Sequence, residues 1–98
     1  MATFITTIRF TEKGIEGIRE TGKRAAAFKA AAKKMGVKIT GIYWTLAAFD
    51  GVIIFEAPDD ETATTAMLSL SAQGNVTTTT ARAFATGEIE KVVEMLGS

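Results

Sequence analysis

The spacing of apolar residues changes period along the chain, and each change marks an element. From Thr3 to Phe10, branched, aromatic and threonine residues alternate, which predicts a strand. Thr11-Glu12-Lys13-Gly14 breaks it, and Ile15 and Ile18 leave room for one helical turn, weakened at Gly17 by about 1 kcal/mol relative to Ala. From near Lys23 to Met35 the period becomes helical: Phe28, Ala31, Ala32 and Met35 share one face of an alanine-rich segment. Lys33 and Lys34 suit its negative end, and Gly36 suits a left-handed stop. Val37 to Pro58 then supplies two β-rich runs, folded back about a turn at Ala47 to Gly51. Asp59 or Asp60 caps the next helix, whose buried stripe is Ala63, Ala66, Met67 and Leu70. Gly74-Asn75 ends it. The four-threonine run within Val76 to Ala85 predicts a last strand. Thr86 can cap a final helix in which Ile89, Val92, Val93 and Leu96 form a clean apolar face, stopped at Gly97.

The resulting order, β-α-β-β-α-β plus a terminal helix, predicts a single α+β domain spanning residues 1–98. Two crossovers and one hairpin give a ferredoxin-like, four-stranded antiparallel sheet with helices on one face. By the period-two rule, Ile39-Gly41-Tyr43 and Ile42-Trp44-Leu46 occupy opposite faces, and both sets are largely apolar. Helices cover only one face. A second copy of the chain, in a dimer or higher homo-oligomer, is expected on the other.

Composition removes whole classes of chemistry. Eleven basic and 11 acidic residues cancel, so no overall field favours nucleic acid or an anionic membrane. RNA-recognition domains share this element order, but their stacking strand is aromatic-rich, whereas Gly51 to Ala57 holds one aromatic residue and no leading base. The longest strongly apolar run, Val52 to Phe55, is too short to span a bilayer, and the opening residues lack a signal-peptide pattern. A cytoplasmic location is the default expectation. Cysteine and histidine are both absent, which excludes the usual zinc sites, His- or Cys-ligated haem and Cys–His nucleophile pairs. Asp59-Asp60-Glu61 could suggest a metal site, but helix capping already accounts for these carboxylates. Neither a metal nor another cofactor is expected. The basic residues Lys23, Arg24, Lys29, Lys33 and Lys34 read as a solvated helix face.

The block GIYWTLAAFDGVIIFEAPDDET resembles the small bacterial and archaeal GYD-domain family. The resemblance extends over the opening strand, Gly14-Ile15, Ala27-Phe28, Gly74-Asn75-Val76 and Arg82-Ala83-Phe84. The family's usual L-G-x-Y-D reads Leu46-Ala47-Ala48-Phe49-Asp50 here, so only the aspartate of the name survives. If that glycine served a positive φ, Ala47 bears strain. The resemblance implies a ferredoxin-like fold of the dimeric α/β-barrel kind, two sheets meeting face to face, and no assignable activity.

Two constellations remain. Tyr43, Trp44, Phe49 and Asp50 offer an aromatic wall, a hydroxyl and a carboxylate near one end of the sheet. The structural alternative makes the aromatics fillers and gives Asp50 the backbone N–H groups of the Ala47–Gly51 turn. Thr78, Thr80 and Arg82 share one strand face, opposite Thr77 and Thr79, and could receive a small anion or polar ligand. A hydrated β-favouring edge explains them equally. The expected function is an oligomeric small-molecule binding or regulatory module. The alternative is a cofactor-independent, monooxygenase-like enzyme using enclosed aromatics and Asp50.

Overall fold

The computed structural model describes residues 1–97. Its strands are β1 (Ala2–Phe10), β2 (Lys38–Trp44), β3 (Gly51–Ala57) and β4 (Val76–Ala83). The helices are α1 (Glu12–Glu16), α2 (Thr21–Lys34), α3 (Asp60–Ala72) and α4 (Thr86–Glu94), with a 3₁₀ turn at Ile18–Glu20. The strands lie in the order β2-β3-β1-β4, every neighbouring pair antiparallel. This is the ferredoxin-like topology with an extra C-terminal helix.

One expectation is corrected. The sheet is not closed into a barrel: β2 and β4 are its two free edges and do not pair. Four strands are too few to close on themselves, because closure needs a diameter that side chains can fill.

The core lies between the sheet and the pair α2 and α3. Phe4, Ile8, Ile53, Phe55 and Ala57 project from the central strands onto Phe28, Ala32, Ala63, Ala66 and Met67. Phe4 and Phe55 stack at 5.3 Å between ring centroids. The stripes read for α2 and α3 are those buried, with Ala31, Met35 and Leu70 half-covered at their margins, whereas the stripe of α4 is exposed. Asp59 caps α3 by accepting a hydrogen bond from the Thr62 N–H at 2.7 Å. Gly36 ends α2 at φ +82°, the left-handed stop its position called for. Gly14 is required for another reason. A Cβ there would stand 2.1 Å from the Asn75 carbonyl oxygen, where α1 is tied to the start of β4. Thr11 makes that tie, donating its N–H to the Asn75 carbonyl and its hydroxyl to the Gly74 carbonyl.

A bulge at Thr40 corrects the facing of β2. The pairing steps from Ile39–Phe55 to Gly41–Ile54, so one extra residue is absorbed. Ile39 therefore shares the helix side with Ile42 and Trp44, while Gly41 and Tyr43 face the other way. On that bare face Tyr43 is exposed, Ile5 is largely so, and Val52 and Ile54 are half-buried.

The register also fixes the direction of β4. Val76, Thr78, Thr80 and Arg82 lie opposite Phe10, Ile8, Thr6 and Phe4, hence on the helix side. No helix among the described residues is long and apolar enough to cross a membrane.

Candidate functional site

The aromatic cluster expected at the hairpin divides between the two faces of the sheet. Trp44 pairs with Gly51 on the helix side, while Tyr43 pairs with Val52 on the bare side. Adjacent strand residues point in opposite directions, so these two rings cannot wall one pocket. Asp50 has a structural task, but not the expected one. Its Oδ2 accepts the Phe10 N–H at 2.8 Å and its own N–H donates to the Ile8 carbonyl at 2.8 Å. It therefore fastens the hairpin tip to β1 rather than bonding the turn's own N–H groups. The turn is closed by Thr45, whose N–H donates to the Asp50 carbonyl and whose hydroxyl donates to the Phe49 carbonyl at 2.6 Å. Arg9 adds a bond from its guanidinium to the Ala48 carbonyl. Ala47 sits at φ +75°, the one non-glycine residue with positive φ among those described, so it carries the strain that its place in the motif implied.

Trp44 instead helps enclose a chamber between α2, α3 and the sheet. Ile8, Phe10, Phe28, Ile42 and Leu70 supply its apolar wall, and Arg24, Gln73 and Asn75 add polar groups. Its volume is about 60 Å³. The Oδ1 of Asn75 is buried there without a hydrogen-bond partner. Arg24 leans the other way and reaches the Gly14 carbonyl at 3.5 Å. Reading the basic residues of α2 as a uniform solvated face missed it. Arg24 stands four residues before Phe28 and so belongs to the edge of the buried stripe. Asn75 had no signal beyond its role in ending α3.

Thr78, Thr80 and Arg82 do share a face, as the period predicts, but their polar atoms are largely occupied. The Thr80 and Thr6 hydroxyls lie 2.8 Å apart, and those of Thr78 and Ser71 3.0 Å apart. Arg82 stacks over Phe84 at 4.6 Å and pairs with Glu88 at 3.2 Å. The Ala85 N–H, first, and then Arg82 hold the Glu88 carboxyl below its ordinary 4.5. Arg82 thus roots α4. These three residues border a groove of about 440 Å³ with Phe4, Met67 and Leu68, separate from the chamber behind Trp44. Among the described residues, no acidic cluster is gathered to hold a metal ion.

The model of the GYD domain family matches residues 4–93, nearly the whole chain. The chain belongs to the GYD domain family. Within this GYD domain, the glycine and tyrosine of the name are Ala47 and Phe49, and Asp50 keeps the tip fastened to β1. Among solved structures, the domain is similar to TTHA0845 from Thermus thermophilus, with a TM-score of 0.57 and 20% identity. That match covers 88% of this chain and 96% of the other, and at such identity it speaks for the fold alone. An ACT domain protein from Streptococcus pneumoniae aligns with a TM-score of 0.49 and 16% identity over 84% of this chain and 89% of its own. No curated protein matches the sequence.

Proposed function

We propose that this GYD domain is a homo-oligomeric small-molecule-binding module whose ligand enters the chamber behind Trp44. The observation that carries the reading is the pocket itself, a largely apolar recess of about 60 Å³ with Arg24, Gln73 and Asn75 as polar groups in its wall. Pockets that hold small molecules combine an apolar wall with a few fixed polar groups. The volume bounds the ligand. An apolar cavity of about 150 Å³ takes benzene, so 60 Å³ suits a short aliphatic group unless Trp44 moves aside. A polar group on that molecule would meet the side chains of Arg24, Gln73 or Asn75 at the wall. The bare sheet face supports the oligomer: Ile5, Tyr43, Val52 and Ile54 form an apolar set that no helix among the described residues covers.

Trp44 is the sole tryptophan, so its emission reports the chamber directly. Titration with isobutanol is expected to give a saturable shift, and Ala25→Leu, which fills the chamber wall from α2, to abolish it while the protein stays folded. Native mass spectrometry of the purified protein should show the oligomer and any copurified molecule. A saturable shift that survives Ala25→Leu, or no saturable shift at all, sinks the chamber as a site. A monomer at micromolar concentration sinks the oligomer.

A further inference from the structure

Among the described residues, the apolar stripe of α4 is only partly covered. Ile89, Val92 and Val93 are 42–55% exposed, and Leu96, on the same stripe just past the helix, is 83% exposed. A terminal helix with so clean a stripe is built to be buried. Its direction is set at the root, where Glu88 accepts the Ala85 N–H and pairs with Arg82. Next to the stripe, one turn apart, stand Glu90 and Glu94, neither of which has a cation within 4.0 Å among the described residues.

A matching surface lies at the opposite edge of the sheet. Between α2 and the edge strand β2 runs a groove of about 520 Å³, with Ala30, Val37 and Ile39 as its apolar part. Lys29 and Lys33 border it, one helical turn apart, and neither has a carboxylate within 4.0 Å among the described residues. The pairs match in spacing and are opposite in sign. Within one chain, β3 and β1 separate the groove at β2 from β4, from which α4 departs.

We infer that α4 of one copy lies in the α2–β2 groove of a second copy. Ile89, Val92 and Val93 cover Ala30 and Ile39, while Glu90 and Glu94 meet Lys29 and Lys33. The charge pattern selects this occupant, because opposite charges flanking an apolar strip fix register and partner. It disfavours an anionic lipid surface, which acidic flanks would repel. The contact is distinct from the bare sheet face, so either can fail without the other.

The chain has no cysteine, which makes the test clean. A Val93→Cys chain and an Ala30→Cys chain are mixed under mild oxidation. A disulfide-linked pair is expected to form faster in the mixture than in either chain alone. Adding Glu90→Lys and Glu94→Lys to the first chain should slow the reaction about tenfold. Adding Lys29→Glu and Lys33→Glu to the second should restore it, which a merely damaged α4 would not allow. The inference is overturned if the mixture reacts no faster than its components, or if charge reversal has no effect. It is equally overturned if Val93→Cys and Ala30→Cys in one chain close within a monomer.

Discussion

Helices α2 and α4 are both amphipathic by their spacing, yet they meet opposite fates. In α2 the stripe is sparse, mostly alanine around a single Phe28, and the sheet buries it. In α4 the stripe is dense and branched, and its own fold leaves Ile89, Val92 and Val93 42–55% exposed. Periodicity therefore states that a face needs a cover. It does not state which chain supplies it. The difference lies in how each helix is connected: α2 crosses over between two strands of the sheet and must lie across it, whereas α4, among the described residues, is not part of a crossover between paired strands.

The contrast can be broken most sharply at Phe28. It is 5% exposed at the centre of the core, so Phe28→Ala should cost about 3–5 kcal/mol in urea denaturation. A small change would mean that α2 is no better anchored than α4. Between the extremes lies the fastening of the hairpin tip to β1. Asp50→Ala leaves the Phe10 N–H without its acceptor and should cost about 1–3 kcal/mol. Asp50→Asn keeps an acceptor oxygen and should cost less. Equal losses for the two variants would show that charge rather than geometry matters there.

Val93→Ser should leave the denaturation midpoint of dilute protein within about 0.5 kcal/mol of the parent, since more than half of Val93 is already exposed. A larger loss would show that α4 is packed in its own chain after all. Acidification separates the helices most finely. Glu88 titrates below 4.5, so its support of the α4 root is complete above that ordinary value and is lost as pH falls through the lowered folded value. Amide signals at Ala85 to Ile89 should shift below about pH 4.5 before those of Phe28 to Ala32 do. Simultaneous loss would mean that one cooperative unit contains both helices.

The order of elements, the stripes of α2 and α3 and the Asp59 cap were legible in the residues, because each depends on neighbours within a turn or two; the Thr86 cap was not, since α4 starts from Ala85, whose N–H is taken by Glu88. The hairpin facing was not. Strict alternation assigned Ile39 to the Tyr43 side, and one bulged residue, Thr40, reverses it. The division of Tyr43 from Trp44 follows alternation directly, but nearness in sequence made them look like one site. Asp50 stood out in the sequence, yet its partner lies 40 residues away at Phe10, and long-range pairing leaves no local mark. The chamber had the same difficulty, since Arg24, Trp44 and Asn75 meet only once three elements are packed.

The strain at Ala47 bears on the sequence of events in folding. A left-handed residue with a side chain costs roughly 1–2 kcal/mol, so the tip has no tendency to form by itself. What holds it is assembled elsewhere: Thr45 bridging to Phe49 and Asp50, and Asp50 fastened to Ile8 and Phe10 of another strand. Such a turn is a poor nucleus. The pairing of Ile42 with Ile53 and of Ile39 with Phe55 must come first and draw the chain together. Ala47→Gly would then slow unfolding while barely changing the folding rate, as expected of a residue whose native conformation is reached only after the barrier. The hairpin closes from its strands toward its tip.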